Sequence, residues 1–222
     1  PTPRAIESAE IPGLIREYCE TAERAIAAGF DGIELHCTSG YLPAQFLSTG
    51  GNQRSDNYGG SLDNRLRFVL ELTQALCDTV GTGRVGLRVC PGNPFNDLQD
   101  EDPSETFGAL FRALSPMGLA YLHVIRMAST GIDNIALAQQ HFKGALIVND
   151  SYSPEEADQL LADQGAAAVS FGRAFIANPD FVERVAKGTP LSRMNGKTLY
   201  TPGPAGYIDY PTAEQASLLQ GD

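Results

Sequence analysis

The sequence predicts an α/β fold in which βα units follow one another along the chain and share a parallel sheet. Short apolar runs alternate with segments of helical periodicity, which is the pattern of such a fold. Polar residues follow most of the apolar runs, as expected where the carboxyl ends of parallel strands form a site. The chain has no G-x-G-x-x-G turn of the kind that opens the first helix of a doubly wound sheet. These observations favour a (β/α)8 barrel.

The predicted strands are short apolar runs bounded by glycine or by polar residues. They cover residues 32–36, 85–89, 121–125, 145–148 and 167–171. His36 ends the first strand, Arg88 lies at the end of the second, residues 149–151 follow the fourth, and residues 172–173 follow the fifth. In a barrel all these carboxyl ends meet on one face, which is where the active site lies.

The predicted helices carry recognisable start signals. Ser61 and Ser153 are suited to cap a helix, and Pro103 and Pro154 stand in first turns. The helical segments are residues 11–29, 61–80, 102–114, 133–141, 154–164 and 179–186.

Five strands are fewer than the eight of a closed barrel, which typically needs about 250 residues. The chain has 222 residues and starts without methionine. We therefore expect a single partial barrel over residues 1–222, corresponding to the carboxyl-terminal part of a longer one. Residues 190–222 are expected to form an irregular tail at the rim of the active site.

Composition limits the class of partner. The formal charge of -11, from 27 acidic and 16 basic residues, opposes binding to nucleic acid or to anionic membranes. The sequence shows no apolar run of about 18 residues and no signal-peptide pattern at its start. The cysteines are widely spaced, without a CxxC pair or a metal-ligand cluster, so we expect free thiols, no bound metal and a cytoplasmic location.

The run FDGIELHCTSGYL, residues 30–42, is the most informative stretch of the chain. It predicts a buried strand that brings His36 and Tyr41 to one place. A histidine at a strand end followed by a Gly-Tyr turn indicates a role in catalysis rather than in core packing. A core histidine beside an unrelated surface tyrosine would explain the same residues and remains an alternative.

The ends of the last two strands predict an anion site. Barrels commonly bind phosphate with the loops after strands seven and eight. Gly172 lets the backbone approach closely, and Arg173 offers a permanently charged fork. Asp150 opposes this prediction unless its carboxylate points away. The alternative is that Gly172 belongs to a helix cap and that Arg173 is a surface arginine. If the phosphate belongs to a cofactor, Arg88 would suit the head of that cofactor.

Ten motifs in order along the chain resemble the old yellow enzyme family, and in particular its bacterial ene-reductases acting on N-ethylmaleimide, nitrate esters or morphinone. They are AGFDGIELH (28–36), GYL (40–42), QFLS (45–48), NQRSDNYGGS (52–61), NR (64–65), VGLR (85–88), FN (95–96), YLHV (121–124), FGRAFIANP (171–179) and GYIDYP (206–211). The resemblance implies an FMN-containing (β/α)8 barrel that reduces activated C=C bonds of enones, nitroalkenes or maleimides with NADPH or NADH.

The resemblance also implies roles for residues around the substrate. His36 would hydrogen-bond the carbonyl or nitro oxygen, and Tyr41 would donate a proton after hydride delivery by the flavin. Ser39, Phe95 and Tyr207 would complete the substrate pocket. Polarising the oxygen stabilises charge that develops in the transition state, and a phenol is a reasonable general acid.

A second group of residues would bind the cofactor. By resemblance, Arg88 would lie against the N1/O2 edge of the flavin, while Asp150, Ser151, Gly172 and Arg173 would hold the FMN phosphate. The protein would thereby orient a cofactor that carries the hydride chemistry.

Two departures from the family keep alternatives open. Ser39 stands where the family has Asn or His, and the chain has no Trp and lacks the amino-terminal strands that complete the flavin site. The main alternative is a partial barrel that is either a degenerate, non-catalytic relative or a piece that works only with a partner. That partner would be another copy, in a homo-oligomer, or a complementing amino-terminal segment. An isomerase or aldolase barrel is disfavoured because no lysine or acidic pair stands at a strand end.

Overall fold

The computed structural model describes residues 4–219, and its centre is one sheet of five parallel strands. The strands are β1 (Ile33–Cys37), β2 (Val85–Val89), β3 (Tyr121–Ile125), β4 (Leu146–Asn149) and β5 (Ala168–Ser170). Each strand pairs in parallel with the next one along the chain. This confirms the α/β fold and the serial order predicted from sequence.

Helices connect the strands. They are α1 (Ile11–Ala27), α2 (Leu42–Leu47), α3 (Leu62–Val80), α4 (Pro103–Leu114), α5 (Asn134–His141), α6 (Pro154–Ala162), α7 (Arg173–Ala177), α8 (Phe181–Lys187) and α9 (Ala213–Leu219). The predicted caps form, since the hydroxyls of Ser61 and Ser153 accept from the backbone N–H groups of Asn64 and Glu156. Helices α2, α7 and α9 have five to seven residues each, too few for a periodic pattern to reveal.

One face of the sheet packs under the helices. Side chains alternate between faces along a strand, so Leu35, Leu87 and Leu122, which are aligned in register, all point to this side. Phe68 of α3 and Phe111 of α4 are fully buried in the same core. This face supplies the hydrophobic stabilisation of the chain.

The opposite face, here called the polar face, is less covered by the described residues. It carries Glu34, His36, Arg88, His123, Asn149 and Ser170. In a closed barrel this face would line the interior. Within residues 4–219, β1 and β5 each pair on one side only, so the sheet is open.

The tail is more ordered than the sequence predicts, because α9 lies within residues 190–222. The carboxylate of Asp180 accepts the backbone N–H of Ala213 at 2.8 Å, and Arg184 Nη2 donates to the carbonyl of Pro211 at 3.0 Å. These contacts fix the start of α9 from about 30 residues away in sequence, which no local pattern reveals. Residues 220–222 of the predicted tail lie outside the described residues.

Two further sequence predictions concern the whole chain. Cys19, Cys37, Cys77 and Cys90 are free thiols, as predicted. No helix among the described residues is long and apolar enough to cross a membrane.

Candidate active site

His36 lies at the carboxyl end of β1, on the polar face. Parallel pairing aligns it with Arg88 of β2, which in turn aligns with His123 of β3. Partial burial and the charge of Arg88 lower the pKa of His36, and Glu34 opposes that shift. The imidazole is therefore neutral at neutral pH and has one N–H to donate.

Tyr41 reaches His36 because the chain turns sharply after β1. Ser39 and Gly40 have positive φ angles of 57° and 79°. A Cβ at Gly40 would lie 2.3 Å from the Cβ of Asn96, so only glycine fits there. The turn brings the ring of Tyr41 edge-on to that of His36, with 5.1 Å between centroids, and the tyrosine remains 58% exposed. The predicted pairing of these two side chains is thus present in the structure.

Ser39 faces the loop after β2. Asn93 Nδ2 donates to the hydroxyl of Ser39 at 3.3 Å and to that of Thr38 at 3.2 Å. The backbone N–H of Phe95 donates to Asn93 Oδ1 at 3.0 Å, and the Phe95 ring is exposed. Asn93 was not singled out from the sequence, although its place between Gly92 and a proline marked the turn.

Arg88 is held in place by a neighbour on the same face. Its Nη2 donates to Asn149 Oδ1 at 2.7 Å, and Asn149 Nδ2 donates to the carbonyl of Ser170 at 2.8 Å. Arg88 thereby extends across β3 toward β4. The sequence placed Asn149 at a strand end but gave it no role.

The predicted anion loops also come together. Asp150 and Ser151 have left-handed φ angles of 76° and 59°, and Arg173 forms an ion pair with the carboxylate of Asp150. A Cβ at Gly172 would meet no atom within 4 Å, so the space beside it is open. The sequence marked the Asp150 carboxylate as unfavourable for a phosphate. In the structure this carboxylate neutralises Arg173, the arginine that was expected to bind the phosphate.

Arg126 is a further residue of these loops that sequence analysis missed. Its guanidinium donates to the carbonyls of Asp150, at 3.2 Å, and of Ser151, and it stacks 3.7 Å from the centre of the Tyr152 ring. The only signal in the sequence was its position directly after β3. Arg126 holds the backbone of the loop that follows β4.

Tyr207 is the predicted site residue that the described contacts do not connect to the others. It is exposed, and its backbone N–H donates to Pro204 within its own turn. Among residues 4–219, no hydrogen bond or ring contact joins it to His36 or Tyr41. Its place in the pocket stays a prediction.

The donor set fits an anionic, elongated cofactor better than a metal ion. Arg88 stands near the middle of the sheet, and Arg173, which is 60% exposed, follows its last strand. Within the described part of the chain, no cluster of three or more His, Cys, Asp or Glu residues could hold a metal. A ring near Arg88 and a phosphate near Gly172 would suit this arrangement, provided that the phosphate displaces or shares the Asp150 contact.

Comparison with known proteins gives a consistent result. Residues 1–192 match the model of the NADH:flavin oxidoreductase / NADH oxidase family. The chain is 42% identical over 215 residues to a probable flavin mononucleotide-dependent alkene reductase of Leishmania infantum, covering 95% of this chain and 58% of that protein. It is 40% identical to 12-oxophytodienoate reductase 1 of Oryza sativa subsp. japonica, covering 96% of this chain and 58% of that protein.

Solved structures agree. The old yellow enzyme from Trypanosoma cruzi superposes with a TM-score of 0.91 at 38% identity, covering 96% of this chain and 58% of the other. Morphinone reductase in complex with tetrahydroNAD superposes with a TM-score of 0.88 at 42% identity, with the same coverage. The chain thus spans somewhat less than three fifths of each of these proteins, and its five strands match part of their barrel.

Proposed function

Since this chain belongs to the NADH:flavin oxidoreductase / NADH oxidase family, as its resemblance to old yellow enzymes implied, we propose that it acts in the FMN-dependent reduction of activated C=C bonds. The substrates would be electrophilic alkenes such as enones, nitroalkenes or maleimides, and the reductant NADPH or NADH. The observation that carries this proposal is the contact between His36 and Tyr41 at a strand end, beside Arg88.

Five residues would bind the cofactor. Bound FMN would supply the hydride. Arg88, held by Asn149, presents positive charge toward the polar face, where it would stabilise a negatively charged ring edge. Asp150, Ser151, Gly172 and Arg173 would surround the phosphate, and Arg126 supports their loop.

Two residues would act on the substrate. His36, neutral because its pKa is lowered, would donate a hydrogen bond to the carbonyl or nitro oxygen and stabilise the charge that develops there. Tyr41, exposed on the same side, would give its phenolic proton to the substrate Cα. Ser39, Phe95 and Tyr207 would shape the pocket around the substrate.

A second candidate is a non-catalytic or partner-dependent partial barrel. It is favoured by the open sheet that residues 4–219 form. In this case the polar face would be completed by a second polypeptide or by another copy of the chain.

The two candidates differ in flavin content and in turnover. We expect the purified chain to bind FMN in a flavin titration and, with FMN in excess, to oxidise NADPH or NADH faster when 2-cyclohexenone is added. His36→Ala should abolish the enone-dependent oxidation and retain FMN binding, whereas His141→Ala, on helix α5, should change neither. A chain that neither holds FMN nor consumes reductant would support the second candidate.

A further inference from the structure

Two pairs of hydrogen bonds, joined through Ser170, cross the polar face and involve all five strands. The carboxylate of Glu34 on β1 accepts a hydrogen bond from Nδ1 of His123 on β3, with 2.8 Å between Oε2 and Nδ1. The Nε2 atom of His123 lies 2.8 Å from the hydroxyl of Ser170 on β5. The carbonyl of Ser170 accepts from Asn149 of β4, and Asn149 accepts from Arg88 of β2. The chain of contacts therefore ends on the guanidinium that faces the candidate cofactor site.

The polarity of these bonds is fixed by their chemistry. A backbone carbonyl only accepts, so its bond to Asn149 must come from the amide nitrogen, which leaves Oδ1 of Asn149 for Arg88. The orientation of the Asn149 amide, and with it the partner offered to Arg88, is thus set by where the Ser170 carbonyl lies.

The position of Ser170 depends on His123. Strand β5 has three residues and pairs on one side only among the described residues, so its own ladder restrains it weakly. His123 is only 5% exposed and has a partner at each ring nitrogen. A histidine held at both nitrogens is a fixed attachment point for the hydroxyl of Ser170.

We propose that Glu34, His123, Ser170 and Asn149 form a positioning network that sets the direction of the Arg88 guanidinium. The geometry of this network stands on the hydrogen bonds alone, whereas its purpose, orienting Arg88 toward the flavin, rests on the proposed function. These four residues act through Arg88 and do not themselves contact the reacting atoms.

The same Ser–His–Glu contacts also resemble the order of a nucleophilic triad. Ser170, however, is the last residue of a paired strand, and its carbonyl is bonded to Asn149. No sharp turn presents its hydroxyl to a substrate, so positioning accounts for the arrangement better than nucleophilic catalysis.

The test follows the Arg88 side chain directly in the protein without FMN. In ¹⁵N NMR spectra, the guanidinium Nη groups of Arg88 should give separate signals because one of them is bonded to Asn149. Ser170→Ala, which removes a single oxygen atom, and His123→Gln should both merge or shift these signals. Flavin titration should then show FMN binding weakened by roughly tenfold, the scale of one charge-assisted hydrogen bond.

Matched variants separate positioning from general destabilisation. Thr73→Val removes a buried hydroxyl on α3, which donates to the carbonyl of Val69 and lies outside the four links, so it should leave the Arg88 signals as they are. Ser170→Thr keeps the hydroxyl and should restore them. Should His123→Gln fail to fold, the pair Ser170→Ala and Ser170→Thr decides.

Unchanged Arg88 signals in folded Ser170→Ala would overturn the network. The Arg88 signals could respond to the variants as expected in a protein that binds no FMN. This result would support the network and count against the proposed function. The two proposals therefore fail in different measurements.

Discussion

At the scale of single residues, the turn after β1 carries Ser39 and places Tyr41 against His36. Ser39 occupies the left-handed region with a φ of 57°, where short polar residues, asparagine above all, are tolerated better than most. Its hydroxyl is in contact with Asn93. We expect a serine at this position to be too short to reach the oxygen that His36 would bind, which would leave one donor of the proposed site weak.

Ser39→Asn is therefore expected to raise the rate of enone reduction by up to about a hundredfold, the usual effect of one oxyanion donor. Asparagine accepts the left-handed backbone, so the turn should remain intact. Steady-state turnover with 2-cyclohexenone measures the effect, and Ser39→Ala serves as the control with no gain. Equal rates for all three proteins would mean that position 39 does not face the substrate oxygen.

Tyr41→Phe should separate the two half-reactions. Loss of a general acid typically slows its step by about 10² to 10⁴-fold, so flavin reoxidation by an enone should slow on this scale. Reduction of FMN by NADPH should be nearly unchanged, because the phenol takes no part in it. Stopped-flow absorbance at the flavin band measures both steps, with Tyr200→Phe, a highly exposed tyrosine, as the control. Equal slowing of both steps would assign Tyr41 a structural role.

At the scale of elements, the pairing of β2 with β3 depends on a glycine. Gly86 is aligned with Tyr121, and a Cβ at Gly86 would lie 2.3 Å from the carbon atoms of the Tyr121 ring. The ring occupies the space that a side chain would need. Burial, together with the neighbouring Glu34 carboxylate of β1, raises the pKa of the Tyr121 phenol, so side chains of β1, β2 and β3 meet at this point.

Gly86→Ala should consequently lower the free energy of unfolding by about 1 to 3 kcal/mol, the usual cost of overpacking. Equilibrium urea unfolding measures it. Gly83→Ala is the matched control, because a Cβ at Gly83 would meet no atom within 4 Å. A Gly86→Ala protein as stable as its Gly83→Ala counterpart would show that the ring moves aside without cost.

At the scale of the whole molecule, the open sheet is the dominant feature. Strands β1 and β5 each leave one side unpaired within residues 4–219, and the polar face is only partly covered. Unpaired strand edges promote association with other chains. The net charge of -11 opposes association only in a general way.

We expect the isolated 222-residue chain to self-associate and to bind FMN weakly. Ala168→Lys places a charge on edge strand β5 and should increase the monomer fraction, while Ala162→Lys, on the outer helix α6, should not. Sedimentation velocity and flavin titration measure the two properties. A monomeric parent protein that binds FMN tightly would contradict the expectation.

The sequence by itself determined the order and type of the main elements. Each strand is a short and mostly apolar segment, because one face of the sheet is buried under the helices, and the predicted bounds of β2 and β3 equal the observed ones. The ends of these runs also identified His36, Arg88 and the loops at Asp150 and Gly172, because parallel strands bring their carboxyl ends together. Short helices such as α2 and α9 escaped prediction because they complete too few turns to show a period.

Only the tertiary structure decided which of these side chains contact one another. His123 is 89 residues from Glu34 and 47 from Ser170 in sequence, yet both bonds are 2.8 Å long. Asp150 pairs with Arg173 across 23 residues, so the arginine of the predicted anion site already has a carboxylate partner. Such contacts depend on strand register and on side-chain direction across the sheet, and both are set by the packing of the whole chain rather than by any local pattern.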